Sequence, residues 1–203
     1  MSWTQMGDPP VDVRRYTASQ FALAGIDWVD DGEEGLMPIG LPQYGYYVTG
    51  RNDDPINLKT CWRYDAVDDS WSQMADAPQI VRQAKGYTSL DQDFYALDQF
   101  QNLGHIVGGT PDAGNWTKAH RYYDPATNLW GTAVSLTVGT QLHAVFVVDD
   151  HAYVTGGQCQ IPHQENDNWE FSHQNLTNWN QKSNVPASGG SRNSHFAFAL
   201  SNG

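Results

Sequence analysis

The side chains able to do chemistry are few and scattered. His163 and His173 flank Glu165 and Asp167, donor types that suit a divalent metal. Their spacing runs through a loop-like stretch and matches no fixed ligand pattern. His105, His143, His151 and His195 fall at strand-like positions in different parts of the chain, where packing and tethering are the expected roles. Cys61 and Cys159 are the two cysteines, too few for a disulfide framework, and free thiols are expected. The chain contains no His-Glu-x-x-His, no phosphate-cradling glycine loop, no Gly-x-Ser-x-Gly and no Cys-x-x-Cys. No catalytic set, no metal site and no cofactor is therefore expected, which leaves recognition. Trp28 and Tyr44, with Phe94, Tyr95 and Phe100, lie in acid-rich stretches and have the character of binding aromatics. Trp28 or Trp116 would suit stacking on a sugar ring.

Bulk composition narrows the partners. A net charge of −12 argues against nucleic acid, which needs basic surface to replace counterions. Aromatics make up 12% of the 203 residues, too many for a disordered chain. No apolar run reaches the roughly 18 residues of a membrane span. The opening MSWTQMGDPP has neither a basic nor an apolar signal region, so no secretion signal is expected. The matches Asn115-Trp-Thr and Asn175-Leu-Thr are then chance occurrences of a glycosylation pattern.

The elements that hold these residues repeat. YYVTGRN (46–52), GHIVGGT (104–110) and HAYVTGGQ (151–158) are β-branched or aromatic runs that stop at glycine. Fourteen residues beyond the last glycine comes an aromatic: Gly50 leads to Tyr64, Gly109 to Tyr123 and Gly157 to Phe171. A Trp follows after seven, seven and eight residues, at Trp71, Trp130 and Trp179. Trp3 begins the same pattern, because WTQMGDPP parallels WSQMADAP at 71–78. Spacing kept to one residue over three copies marks a repeated unit. The glycine-ended run reads as one strand, the aromatic segment as the next, and Asp-Asp-Ser or Pro-Ala-Thr-Asn as a hairpin turn before the Trp strand. Each unit is a four-stranded antiparallel sheet that buries its faces only by stacking on neighbours.

This pattern resembles the kelch repeat of β-propellers. The resemblance rests on Gly108-Gly109 and Gly156-Gly157, on Tyr64-Asp65 and Tyr123-Asp124, and on Trp71, Trp130 and Trp179. The first copy departs from it with Gly50-Arg51 as its doublet, and the third with Phe171-Ser172. It implies an all-β chain, a single kelch-like propeller domain over 1–203 or an incomplete arc of one. The blades span about 14–74, 82–133 and 141–182, with a terminal strand at 192–201. Inserts at 27–45 and 90–104 project from one face of the ring. The loops at 51–61, 110–120 and 158–168 lie on the other, which in kelch proteins often holds the partner. The resemblance therefore points to Arg51, Asn52, Asp53, Asn115, Trp116, Gln158 and His163 as binding residues. Arg14, Arg82 and Arg192 precede the inner strands, and could equally tie blades together.

These features predict a non-catalytic structural or binding module of a large assembly. The polar, aromatic composition is similar to that of bacteriophage structural and tail proteins, which makes a virion or receptor-binding protein the leading expectation. An intracellular kelch adaptor fragment and a carbohydrate-binding or sugar-acting propeller are the alternatives. The expected partners are proteins, or copies of this chain that complete the propeller, or a glycan. The expected location is the cytoplasm or the virion.

Overall fold

The computed structural model describes residues 6–8, 10, 17–24, 27–30, 36–39, 42–52, 57–79, 81–89, 103–111, 115–148, 151–159, 166–172, 178–186 and 197. For 24, 27–30, 36–39, 42 and 43 it describes the backbone alone. Strand β1 (Ser19–Ala24) is followed by a separate hairpin of β2 (Asp27–Asp30) and β3 (Leu36–Ile39), then by β4 (Pro42–Val48), β5 (Cys61–Asp65) and β6 (Ser70–Met74). The first sheet has the order β1-β4-β5-β6. The second runs through β7 (Lys85–Ser89), β8 (Leu103–Val107), β9 (His120–Asp124) and β10 (Leu129–Thr132). After the short β11 (Thr140–Gln141), the third runs through β12 (Ala144–Val148), β13 (His151–Thr155), β15 (Asn168–Ser172) and β16 (Trp179–Gln181). The short β14 (Gln158–Cys159) pairs with β11. Every pairing is antiparallel, and no described residue is helical. The β2–β3 hairpin lies inside the first insert, and β4 begins at Pro42, so the insert ends earlier than its composition suggests. Trp3 and nearly all of 192–201 lie outside the described residues.

The repeat spacing has a direct geometric cause. Tyr64 pairs with Trp71, Tyr123 with Trp130 and Phe171 with Trp179 across their hairpins, with ring centroids 5.1, 5.2 and 5.1 Å apart. In the first two copies the Asp beside the Tyr builds the turn. Asp65 Oδ1 accepts from the Val67 and Asp68 amides, and Asp124 accepts from the Ala126 amide and the Thr127 hydroxyl. The turn closes through Asp69 and Asn128, both left-handed at φ 50° and 55°, a conformation Asx side chains tolerate.

A second aromatic pair sits on the opposite face of each sheet. Phe21 stacks on Tyr46 (5.1 Å), Tyr87 on His105 (4.6 Å) and Phe146 on Tyr153 (5.1 Å). Blades pack by placing this pair against the next blade's hairpin aromatics. Phe21, Tyr46, Val48 and Cys61 form one core with Ile106 and Tyr123 of the second sheet. Tyr87 and Val107 form another with Ala152, Val154, Trp169, Phe171 and Trp179 of the third. The sheets approach closely at Gly104, where an added Cβ would lie 1.9 Å from the Phe21 ring.

Main-chain bonds continue the stacking. The Gly50 amide donates to the Val81 carbonyl (3.0 Å) and the Gly109 amide to the Thr140 carbonyl (2.7 Å). Gln83 donates to Thr17 and Leu142 to Gln83, at 3.0 and 3.2 Å. These three residues, left-handed at φ 63° (Thr17), 60° (Gln83) and 55° (Leu142), form a chain of contacts running from blade to blade. The glycine doublet is in register with Thr49-Gly50, at φ 56° and 99°, and so the first copy's doublet is not Gly50-Arg51. Thr49 stands where the other blades have Gly108 and Gly156.

Candidate functional site

The residue after each strand-end glycine, and the residue before each left-handed Gln83 or Leu142, project at the same end of their sheets. In the first blade this is Arg51, bridged to Asn57; in the second, Thr110, bridged to Arg82; in the third, Gln158, paired with Gln141. Arg82 and Thr110 exchange both backbone hydrogen bonds, at 3.0 and 2.8 Å. The Gly50–Val81 bond brings the segment of Arg51 beside that of Arg82.

A polar side-chain relay joins the second and third blades here. Thr110 Oγ1 donates to Gln141 Oε1, and Gln141 Nε2 donates to Gln158 Oε1 at 2.7 Å. Thr110 and Gln141 are buried, while Gln158, Arg51 and Arg82 are half-buried. The Nε atoms of both arginines are buried and hydrogen-bonded to no described residue. The rim therefore offers guanidinium and amide donors on a backbone fixed by inter-blade bonds, a surface that suits carbonyl and carboxylate acceptors.

Of the residues expected to bind, Arg51, Asn52 and Gln158 lie at this rim and are half-buried. Asn115 is exposed and Trp116 half-buried in the loop leading to β9. Asp53, His163, Arg14 and Arg192 lie outside the described residues. Trp28 is in β2, in the insert at the opposite end of the sheet, and its side chain is not described. Tyr44 packs against the first core, with the Arg63 guanidinium 4.5 Å from its ring centre, which gives it a structural position. Thr110 and Gln141 went unmarked in the sequence because they look like ordinary loop polars. Aligning them on the glycines, one place after Gly109 and across from Gln158, is the signal that finds them.

Several titratable residues elsewhere are taken up by packing between blades. Tyr87 Oη lies 2.9 Å from His120 Nε2, which lies 3.0 Å from His105 Nδ1; His105 Nε2 lies 3.1 Å from Ser89 Oγ. All four residues are buried between the second and third blades. Burial holds the Tyr87 hydroxyl well above its usual range. Burial also pushes Tyr46 up to about 12, although the nearby Arg63 opposes it. Cys61 and Cys159 are buried thiols, not joined in a disulfide. Among the described residues no three His, Cys, Asp or Glu side chains gather into a metal-binding group.

Known proteins place this geometry. No family model matches the chain. Kelch-like protein 25 of Homo sapiens is 30% identical over 112 residues, 55% of this chain and 18% of that protein; the Rattus norvegicus and Mus musculus proteins match to the same extent. The solved structure of YjhT matches with a TM-score of 0.59 at 17% identity, over 87% of this chain and 54% of that one. The fold is that of kelch-type β-propeller blades. The chain spans under a fifth of the curated relatives, at 18%, and about half of the solved YjhT chain, at 54%. Among the described residues no helix is long and apolar enough to cross a membrane.

Proposed function

We propose that this chain is a non-catalytic protein-interaction module that binds through the rim beyond its strand-end glycines. The observation that carries this is the repeated placement of Arg51, Thr110 and Gln158, with Arg82 and Gln141, on a backbone locked from blade to blade. A rigid scaffold with donor-rich loops at one end is suited to gripping a polypeptide. The likeness to Kelch-like protein 25 supports an interaction role. An intracellular adaptor fits that likeness as well as a larger assembly does, while the virion reading keeps its compositional support alone. This reading places the contact at the rim and not at Trp28 or Tyr44.

The test is selection of a random peptide library on the protein, with counter-selection on Arg51→Ala/Arg82→Ala/Gln158→Ala. Peptides that bind the wild type and lose at least about tenfold on the triple variant support the reading, since that is the cost of one or two lost charge-assisted hydrogen bonds. Binders indifferent to the triple variant would overturn it. A glycan array probed with the wild type and with Trp116→Ala tests the sugar reading, which predicts binding that depends on Trp116.

A further inference from the structure

The second blade fills with polar groups a set of places that the first blade fills with largely apolar ones. The strand registers match the two sheets residue for residue. Phe21 and Leu23 of β1, Tyr46 of β4 and Cys61 of β5 stand where Tyr87, Ser89, His105 and His120 stand in the second sheet. Both sets are buried against the next blade, the first beside Tyr123 and the second beside Phe171 and Trp179. The first interface closes without a histidine at these places, so packing alone does not require imidazoles in the second.

The hydrogen bonds of the second set assign its protons. The Val134 carbonyl only accepts, so His120 Nδ1, 3.3 Å away, carries a proton and donates to it. In the neutral ring Nε2 is then bare, and it accepts from Tyr87 Oη at 2.9 Å and His105 Nδ1 at 3.0 Å. His105 Nε2 is bare in turn and accepts from the Ser89 hydroxyl at 3.1 Å. Burial holds the Tyr87 hydroxyl well above its usual range, which keeps it a donor. The same Val134 carbonyl accepts from Trp179 Nε1 at 3.0 Å, so the network ends on the third blade. Among the described residues, strand alternation also turns Lys85 of β7 and Tyr122 and Asp124 of β9 to this side of the second sheet. The Tyr122 ring centre is 6.3 Å from that of His105, and the Asp124 carboxylate is held in its own turn by Ala126 and Thr127. The strands of the third blade present apolar and aromatic side chains here, among them Val145, Val154, Phe171 and Trp179. Its titratable His143 and Asp167 are buried just ahead of β12 and β15.

We infer that the Tyr87–His120–His105–Ser89 network is an acid-sensitive latch: protons taken up by His105 and His120 open the contact between the second and third blades and leave that between the first and second closed. A proton on His120 Nε2 turns the shared acceptor into a donor that faces the His105 Nδ1–H and the Tyr87 hydroxyl. A proton on His105 Nε2 makes the Ser89 hydroxyl turn and accept, and leaves a charge among apolar side chains away from water. Once the blades part, both rings meet water and take protons in the ordinary histidine range, about pH 6.5. The closed form therefore binds fewer protons than the open one. Closure is at full strength above about pH 6.5 and is lost as pH falls below it, the ratio of open to closed rising about tenfold per pH unit for each histidine. The first contact has no histidine at the matching places and keeps its strength. This inference is independent of the rim's ligand.

The test is a titration of the full chain from about pH 7.5 to about pH 5, followed by NMR. The Trp179 indole N–H bonds to Val134 of the second blade, and the Trp130 indole N–H bonds to Ala75 of the first, so each reports one contact. The Trp179 indole resonance is expected to move to its solvent-exposed position below about pH 6.5 while that of Trp130 holds. The ring protons of His105 and His120 should leave their neutral positions only together with that change. Giving the second blade the residues of the first, as Tyr87→Phe, Ser89→Leu, His105→Tyr and His120→Cys, should hold the Trp179 resonance steady over the whole range. Should that variant fail to fold, the indole and ring signals of the wild type still decide. A Trp179 resonance unmoved down to about pH 5 would overturn the inference. So would simultaneous loss of both indole signals, which marks unfolding of the whole molecule, or a Trp179 change that persists in the folded variant.

Discussion

Gly109 holds φ at +100°, and a Cβ placed there would lie 2.8 Å from the Arg82 carbonyl oxygen. Its amide also carries the bond to Thr140. Gly109→Ala should therefore cost about 1–3 kcal/mol through backbone strain, read as a lowered urea midpoint with unchanged slope. Asp69 gives a second test at this scale. The Gly7 amide and then the Tyr64 hydroxyl hold its carboxyl below the usual range. The folded value is thus lower than the unfolded one, and the stabilisation is full above the unfolded value, about pH 4. It is lost as pH falls through the lowered folded value. The Trp71 indole N–H donates to the Gly7 carbonyl at 3.3 Å, and the Gly7 amide donates to Asp69, so the Trp71 indole resonance should hold steady down to about pH 4 and shift below it. Asp69→Asn should abolish that shift. A shift that persists in Asp69→Asn would remove Asp69 as its cause.

At the level of the element, the hairpin is the legible unit. Seven residues from Tyr to Trp is the distance that sets two rings opposite each other across a four-residue turn, so this spacing gave away the strands and their pairing. The Asp after the Tyr was legible for the same reason, because its carboxylate makes the turn. Other features were hidden. Thr49 occupies a left-handed position that glycine fills elsewhere, and composition gives no hint that a β-branched residue accepts it. The β2–β3 hairpin sits in an insert whose acids and glycines read as loop. The blade-to-blade bonds of Thr17, Gln83 and Leu142 are made by backbone, which side-chain patterns do not encode. Packing predicts the energetic weight of the hairpin aromatics. Phe171 is fully buried against His120, with ring centres 4.9 Å apart. Phe171→Ala should cost about 3–5 kcal/mol in chemical denaturation. Trp130→Phe keeps most of the ring and loses its bond to Ala75, so about 1 kcal/mol is expected. Equal costs for the two substitutions would contradict this division between packing and hydrogen bonding.

For the whole molecule, stacking of like units explains the fold and why the loops after the strand-end glycines gather at one end of the sheets. The first and second blades each bury one aromatic pair against the next, and backbone bonds at the glycine ends lock the same blades together there. The kelch pattern in the sequence pointed to that end of the sheets and to Arg51, Asn52 and Gln158. It missed the Thr110–Gln141–Gln158 relay, because a hydrogen bond between blades depends on how two sheets meet. The charge of −12 is consistent with a surface that repels nucleic acid, and it makes the half-buried Arg51 and Arg82 conspicuous.

The claim that this rim is the binding surface is tested most directly by hydrogen exchange with mass spectrometry, with and without a peptide selected on the protein. The account predicts slowed exchange in the segments holding Arg51 and Asn52, Arg82, Thr110 and Trp116, and Gln158. The turns at 66–69 and 125–128, at the opposite end of the sheets, should be unchanged. Protection confined to those turns, with the glycine-end loops unaffected, would contradict it.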